Sequence, residues 1–167
     1  MLEHVVEMPE VPDVPEASPL SLRVRIPIQD SADVAVAGEH GRRLASQLEF
    51  SSADVTVITT AILEVARNVL AYAGRGDLLL HLIQQGGRSG LSVVAHDDGP
   101  GIRDVENALR DGCGEGRSGG LGLATARRLM DEFQIQSEPG RGTTVRMRKW
   151  THRRRVERAG ARQGDGE

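Results

Sequence analysis

The chain has 167 residues and a mass of 18.0 kDa, the size of one typical domain, so we expect one hydrophobic core. Its 21 Lys and Arg against 24 Asp and Glu give a net charge of −3, which argues against a polyanion-binding field over the whole surface. Aromatic residues make up only 2% of the chain, which nearly excludes base stacking as a main mode of nucleic-acid binding, and the single cysteine, Cys113, excludes an intramolecular disulfide and a cysteine-based zinc site. No apolar run approaches the ~20 residues of a membrane span and no secretion signal is recognised, so we expect a cytoplasmic protein.

Charge is concentrated at the two ends of the chain. Residues 1–20 contain five acids, four prolines and no Lys or Arg, so we expect a flexible acidic arm there. Residues 151–167 form a basic, polar tail. We interpret the tail first as a solvated, frayed terminus, second as a docking patch for an acidic partner or for the acidic arm, and only third as a nucleic-acid contact. The folded domain is therefore predicted over residues 21–150.

The first half of that domain has regular hydrophobic periodicity. Alternation over 22–28 predicts a strand with one buried face, and helical spacing predicts a first helix over 33–50, with Asp30 and Ser31 as cap candidates. A second helix opens at Ser51 and is stopped by the glycines at 74 and 76. Two strands, 77–83 and 91–96, then follow, joined by a loop over 84–90.

The second half begins with a glycine-rich segment over 99–122 that holds a short helix near 105–109. A third amphipathic helix is predicted over 121–133, and a last pair of strands over 134–137 and 143–150. Short turns join the paired strands, and no helical crossovers separate them. This order favours an α+β two-layer sandwich, with a mixed, mostly antiparallel sheet and its helices on one face.

The first motif that carries chemistry is an acid–amide pair on the second predicted helix. Glu64 and Asn68 are four residues apart, so they project from one face about one turn from each other. A carboxylate can take a proton or orient a nucleophile, and an amide oxygen can join a magnesium shell. On this spacing alone, two solvent-facing side chains are a better explanation than a functional site. The motif supports a function only together with the two motifs described next.

The second and third motifs are rich in glycine. In the run 97–102 (DDGPGI), Asp97 follows a predicted strand and can accept a hydrogen bond from the exocyclic amine of adenine. The run 118–123 (SGGLGL) opens the third helix, where free backbone N–H groups suit a phosphate. It is neither a P-loop nor a dinucleotide fingerprint, because it lacks the Gly-Lys-Ser/Thr ending and no βαβ unit surrounds it. Each run alone is also explained by an ordinary turn.

In combination, the three motifs and the Gly142-Thr143 pair before the last strand resemble the Bergerat-fold (GHKL) ATPase and kinase superfamily, over about 22–150. The runs 58–76, 95–102 and 118–123 look like the RsbT-type serine/threonine kinases of partner-switching, or stressosome, pathways. The resemblance implies a histidine-kinase-like ATPase fold, ATP and Mg²⁺ as cofactors, and a serine of a STAS-domain antagonist or scaffold protein as the phosphoryl acceptor.

The resemblance also implies roles for individual residues. Asn68 would hold Mg²⁺, and Glu64 would be the catalytic general base or the group that orients the attacking hydroxyl. Asp97 would read the adenine amine, with Thr143 in support. The other implied contacts are Gly99 and Gly101 at the base, Gly120 and Gly122 at the phosphates, and Arg117 at the γ-phosphate.

Two classes of function stay open at this point. The first is an enzyme, a Mg-ATP-dependent protein serine/threonine kinase. The second is an ATP-binding regulatory module that sequesters a sigma factor or activates a PP2C-type phosphatase. Glu64 favours catalysis, because a dedicated binder has no need for a carboxylate there. A sensor histidine kinase, a nucleic-acid reader and a membrane partner are not expected.

Three other charged or titratable residues are interpreted without a role in the chemistry. Arg67 is predicted to face away from Glu64 and Asn68, toward solvent or a partner. His81 and His96 lie on strands, and no third ligand is evident that would complete a metal site with them.

Overall fold

The structure, a computed structural model, describes residues 22–110 and 122–152. Five strands form one sheet, and helices pack on one of its faces. The strands are β1 (Arg23–Ile28), β2 (Gly76–Gln85), β3 (Arg88–Asp97), β4 (Glu132–Glu138) and β5 (Gly142–Trp150). The helices are α1 (Ser31–Gln47), α2 (Ser52–Asn68), α3 (Val105–Ala108) and α4 (Gly122–Leu129), and a π-helical turn, Val69–Ala73, continues α2.

The strand order is β1-β2-β3-β5-β4, and each neighbouring pair is antiparallel. The predicted α+β two-layer sandwich with helices on one face is therefore confirmed. The sheet is wholly antiparallel among the described residues, rather than mixed. Short turns join β2 to β3 and β4 to β5, and β1, which is linked to β2 through α1 and α2, also pairs with β2 in the antiparallel sense. This order places the ends of β3 and the start of β5 side by side at the centre of the sheet.

The core lies between the sheet and the helices. On the four strands other than β4, side chains that face the helices are buried, as Leu78 and Leu80 are on β2, and on β4 the alternate side chains are half-buried. Helix α2 lies over the sheet and buries Ile58, Ile62 and Val65. Helices α1 and α2 approach closely at Gly41, where a Cβ would collide with Ile62. The absence of a side chain at this position therefore sets the spacing of the helical layer.

Polar caps fix where the first two helices begin. The Asp30 side chain accepts hydrogen bonds from the backbone N–H groups of Ala32 and Asp33, and Asp33 reciprocates toward the cap. Ser51 caps α2 by accepting from the N–H of Asp54. Both starts agree with the cap residues chosen from the sequence, although α1 begins two residues earlier and ends three residues earlier than predicted.

The connection between β2 and β3 is shorter than predicted. The strands extend to Gln85 and from Arg88, so the hairpin turn is Gly86-Gly87 rather than a loop over 84–90. Both glycines have positive φ, 58° and 71°, which is the backbone of a two-residue hairpin turn.

Helix α4, predicted over 121–133, is shorter than predicted, and the strand after it is longer. Helix α4 ends at Leu129, and Phe133 lies on β4 rather than on the helix. The cause is tertiary, since the Asp131 carboxylate accepts from the Trp150 backbone N–H at 2.8 Å and from Lys149 Nζ at 3.0 Å. These bonds turn the chain into the sheet, so the helix ends four residues before the predicted end at 133.

One segment is long and apolar enough to cross a membrane by length and composition. The helix Ser52–Ala73 has 22 residues, and an 18-residue window within it has a mean hydropathy of 1.3. About a third of its most apolar window, 33%, is buried inside the fold, and its apolar side packs on the sheet. The core helix of a soluble protein passes the same test, so the segment carries no argument for a membrane.

The proposed boundaries of the domain stay predictions. The acidic arm lies outside the described residues, as does the basic tail beyond His152. At the carboxyl end, Thr151 still belongs to the folded part, because its N–H and its Oγ1 both donate to the Ser89 carbonyl at 2.9 Å.

Candidate active site

A pocket opens between the end of α2, the end of β3 and the start of β5, with a cavity volume of about 70 Å³. Four of the predicted site residues line it: Asn68, Asp97, Gly101 and Thr143. The remaining lining residues are mainly apolar: Val65, Val69, Tyr72, Ala95, Pro100, Ile102, Leu123 and Val145. A largely apolar cleft with a few convergent polar groups is typical of a small-molecule site.

Asp97 is the buried polar group of this pocket, with 9% of its surface exposed. Burial raises the pKa of its carboxyl group, while the backbone N–H groups of Gly99 and Thr143 and the charge of His96 act in the opposite direction. The N–H of Gly99 donates to Asp97 Oδ1 at 2.9 Å. Gly99 is not among the residues that line the pocket, although we predicted it at the base. It acts on the site through its hydrogen bond to the Asp97 carboxylate.

A hydroxyl network holds the wall beside Asp97. Ser137 Oγ lies 2.8 Å from Thr143 Oγ1 and accepts from the Ile102 N–H at 2.8 Å. The N–H of Gly140 donates to the Pro100 carbonyl at 2.8 Å, which ties the β4–β5 turn to the loop after β3. Sequence reasoning missed Ser137. A polar residue on the core-facing side of β4, directly opposite Thr143 in the ladder, was the signal available.

Glycines make this close approach possible. Gly101 has φ of 70°, and a Cβ there would collide with the Glu138 carbonyl. Gly142 has φ of 86°, and a Cβ there would collide with the Asp97 carbonyl. The loop after β3 and the start of β5 therefore pack backbone against backbone beside the pocket.

The acid–amide pair lies at the entrance to α4. A Cβ on Gly122 would stand 2.9 Å from Asn68 Nδ2, 3.0 Å from Asn68 Oδ1 and 3.2 Å from Glu64 Oε2. The fold thus brings together Glu64, Asn68 and Gly122, which come from two motifs separated by more than fifty residues. The polar end of the site lies where α2 meets the first turn of α4.

Arg67 is placed differently from the prediction that it faces away from this pair. Its Nη1 donates to Glu64 Oε1 at 2.8 Å. Residues three apart on a helix are neighbours, and the long guanidinium side chain reaches back along the surface to the carboxylate. The other carboxylate oxygen, Oε2, is the one that faces Gly122. The Glu64 side chain keeps 25% of its surface exposed.

Tyr72 is a second lining residue that sequence reasoning missed. It belongs to the π-helical turn that follows Asn68, and 60% of its surface is exposed. Gly74, with φ of 77°, ends the turn. Such turns are frequent at functional sites, and the four-residue step from Asn68 to Tyr72 was the available signal.

The predicted phosphate contacts are described only in part. Gly122 lies at the start of α4 beside Asn68 and Glu64. Arg117 and Gly120 lie outside the described residues, so their roles stay predictions.

Comparisons with known proteins identify the family of this chain. The family described as "Histidine kinase-like ATPase domain" matches residues 29–149. The serine/threonine-protein kinase RsbT of Bacillus subtilis (strain 168) is 41% identical over 118 residues, which cover 71% of this chain and 89% of that protein. The anti-sigma F factor of Caldanaerobacter subterraneus subsp. tengcongensis is 31% identical over 117 residues, which cover 66% of this chain and 80% of that protein.

Among solved structures, the mycobacterial sensor histidine kinase MprB aligns with a TM-score of 0.49 and 20% identity, over 76% of this chain and 97% of that chain. The family assignment depends on the sequence matches. They confirm the predicted resemblance to the RsbT-type serine/threonine kinases, and the family name confirms ATP as the nucleotide. This chain belongs to the histidine kinase-like ATPase domain family.

Proposed function

We propose that this protein is a cytoplasmic, ATP-dependent serine/threonine-protein kinase that phosphorylates a serine of a STAS-domain protein in a partner-switching pathway. The observation that carries the proposal is the meeting of Glu64 and Asn68 with the first turn of α4, next to a pocket that ends at the buried Asp97. The 41% identity to a serine/threonine-protein kinase supports the reaction type.

The base end of the site binds adenine. One oxygen of the Asp97 carboxylate accepts a hydrogen bond from the Gly99 N–H. The carboxylate also accepts a hydrogen bond from the exocyclic amine of the base. The apolar walls of the cleft exclude water from the ring. The Ser137–Thr143 hydroxyl pair fixes the wall next to the acceptor, so Asp97 meets the base without rearrangement.

The polar end fits Mg²⁺ with Asn68 as its protein ligand. The described residues contain no group of three or more His, Cys, Asp or Glu side chains that could hold a metal by themselves. Magnesium is commonly held by one or two protein oxygens together with substrate phosphates, and the Asn68 amide beside Gly122 is such a donor. When bound, the ion would neutralise charge on the phosphates.

Glu64 handles the proton of the transfer step. Its free oxygen, Oε2, accepts the proton of the attacking seryl hydroxyl while Oε1 stays bound to Arg67. The seryl oxygen forms its bond to the γ-phosphorus, and the bond from that phosphorus to the β,γ-bridging oxygen breaks. ADP leaves with the electron pair of the broken bond, and the partner carries the phosphoryl group.

A second candidate is an ATP-binding regulatory module that sequesters a sigma factor or activates a PP2C-type phosphatase. The 31% identity to an anti-sigma F factor favours this class. The two candidates share the nucleotide site and differ in whether Glu64 is needed. In neither do we expect a nucleic acid or a membrane as the partner.

The test is the intact mass of a purified STAS-domain protein after incubation with this protein and Mg-ATP, with co-elution scored on the same sample. We expect the partner to gain the mass of one phosphoryl group. Glu64→Gln should abolish the gain and keep ATP affinity, whereas Asn68→Ala should weaken binding of Mg-ATP. Glu39→Gln is the matched control, since Glu39 forms the same i,i+3 pair with Arg42 on α1, also at 2.8 Å.

Co-elution without a mass gain would favour the regulatory module over the kinase. A mass gain that persists in Glu64→Gln would remove Glu64 from the chemistry. Unchanged Mg-ATP affinity in Asn68→Ala would contradict the metal assignment.

A further inference from the structure

The face of the sheet that points away from α1, α2 and α4 carries a basic surface, which we call the open face. The strand registers align its side chains in rows. One row is Arg23, His81, Ser92 and Arg148 across β1, β2, β3 and β5, and the next is Arg25, Leu79, Val94 and Arg146. The alternate residues of the same strands are the buried core, so these side chains project to the opposite side.

The open face has more positive charge than its own acids neutralise. Arg25 pairs with Asp77 at 2.9 Å and Arg148 with Glu132 at 3.2 Å. Arg23, Arg88 and Arg146 belong to the same face, and no ion pair with an acid is found for them among the described residues. The whole chain, in contrast, has a net charge of −3.

Buried polar atoms on this face lack acceptors. The Nε atoms of Arg88 and Arg146 and the Nδ1 atom of His81 are buried with no hydrogen-bond partner in the described part of the chain. Burial lowers the pKa of His81, and the charges of Arg23 and Arg148 lower it further. An occupant rich in acceptors and negative charge would stabilise a face on which arginines have no acid partner among the described residues.

The chain contains a segment of that chemistry. Residues 7–16 read EMPEVPDVPE, a three-residue unit of acid, apolar residue and proline that occurs three times before a final acid. Proline-rich segments favour the polyproline II helix, which has three residues per turn. In that helix the four acids form one stripe, and Met8, Val11 and Val14 form another. The acids match the guanidinium groups, and the apolar stripe matches Leu79 and Val94, which lie between Arg25 and Arg146 in one row.

The repeat can reach the open face in the same molecule. Residues 17–22 connect it to Arg23 on β1, which is an edge strand of the sheet. Six extended residues span up to about 20 Å. Five strands spaced about 4.8 Å apart make a sheet roughly 19 Å wide, so the connection can reach any strand.

We propose that the open face is the docking surface of the acidic repeat at residues 7–16 of the same chain. The repeat supplies carboxylates to the arginines and covers the apolar strip between them. Any protein that binds this face must therefore displace the repeat, and an acidic surface is what it would present.

The test places a nitroxide spin label on the full chain at His4→Cys, with Cys113→Ser to leave one labelling position. We expect the amide signals of Leu79, Val94 and Arg146 to lose more than half of their intensity, while the amides of α1 keep theirs. The intensities should return in 1 M salt, where the Debye length is about 3 Å. They should also return when the four acids of the repeat are changed together (E7Q, E10Q, D13N and E16Q).

Paired substitutions identify the surface. Arg23→Gln with Arg146→Gln should restore the sheet signals, whereas Arg42→Gln with Arg43→Gln, the same charge change on α1, should not. Equal broadening of the sheet and the helices, or no broadening, would overturn the proposal. Equally strong broadening of isotope-labelled, nitroxide-free chain, when it is mixed with spin-labelled chain that carries no isotope label, would assign the surface to a second copy and overturn the proposal as well.

Discussion

The two carboxylate oxygens of Glu64 have different surroundings. Oε1 accepts from the Arg67 guanidinium at 2.8 Å, and Oε2 faces Gly122 and the entrance to α4. A carboxylate fixed at one oxygen presents the other in a defined direction, which is what proton transfer from a bound hydroxyl needs. Arg67 is therefore a positioning residue for the proposed transfer.

Arg67→Met should lower kcat about tenfold and leave the KM for ATP nearly unchanged, because the pair orients the base and does not contact the nucleotide. Arg67→Lys should recover part of the loss. Steady-state phosphorylation of a STAS-domain protein measures both constants. Arg42→Met, which breaks the equivalent pair on α1, should leave both constants unchanged. A rise in KM with constant kcat would instead make Arg67 a nucleotide contact.

Asp97 predicts opposite pH dependences for stability and for nucleotide affinity. Burial raises its pKa above the ordinary value of about 3.9, so the folded protein holds this proton more tightly than the unfolded chain does. The free energy of unfolding should therefore fall as pH rises from below about 3.9 through the raised pKa, and then level off. ATP affinity should rise over the same range, because the ionised carboxylate is the better acceptor for the adenine amine.

Asp97→Asn isolates this group from the other acids. Calorimetric ATP titration and urea unfolding at several pH values measure the ATP affinity and the unfolding free energy of wild type and variant. The wild-type-minus-variant difference in each quantity should show the pH dependence described above. Above the raised pKa the variant should bind ATP about tenfold more weakly, through the loss of a charge-assisted hydrogen bond. An ATP affinity difference that stays constant from pH 4 to pH 8 would contradict the role of the ionised carboxylate.

At the scale of elements, the β4–β5 turn beside the pocket contains two glycines at which an added methyl group should have different effects. Gly140 and Gly142 both have positive φ, 79° and 86°. At Gly140 an added Cβ meets nothing within 4 Å, whereas at Gly142 it collides with the Asp97 carbonyl. An alanine at either position would be strained by the positive φ, but only the alanine at 142 would also collide with a neighbouring atom.

Gly140→Ala should cost about 1 kcal/mol of unfolding free energy, from the left-handed backbone alone. Gly142→Ala should cost about 3 kcal/mol or more and should also weaken ATP binding, because β5 must move away from Asp97. Urea unfolding followed by circular dichroism measures the first effect, and ATP titration measures the second. Equal losses in the two variants would show that backbone strain, not the contact, dominates.

At the scale of the whole molecule, local patterns were sufficient to predict the architecture. The hydrophobic residues alternate in the strands and recur at helical spacing in the helices, so each segment indicates its own secondary structure. The cap residues Asp30 and Ser51 mark where α1 and α2 begin. Four of the predicted site residues meet in one pocket because their motifs lie where strands and helices end. The order of the motifs along the chain therefore indicated which residues would lie together in the pocket.

What sequence reasoning could not supply depends on contacts between distant segments. Helix α4 stops early because Asp131 binds the last residues of β5, and nothing local to 121–133 signals this. Ser137 is fixed in part by the Ile102 N–H, which lies 35 residues away along the chain. The pair between Arg67 and Glu64 is local, but helical geometry alone does not say that a long side chain will reach back toward its neighbour.

The π-helical turn has an angular consequence for the site. Glu64, Asn68 and Tyr72 follow one another at intervals of four residues. In an α-helix of 3.6 residues per turn, each such step rotates about 400°, so a side chain drifts about 40° around the axis per step. Between Asn68 and Tyr72 the wider π turn rotates less per residue and reduces this drift. One helix can therefore serve a ligand along a single line, with the proton acceptor at one end and an aromatic ring at the other.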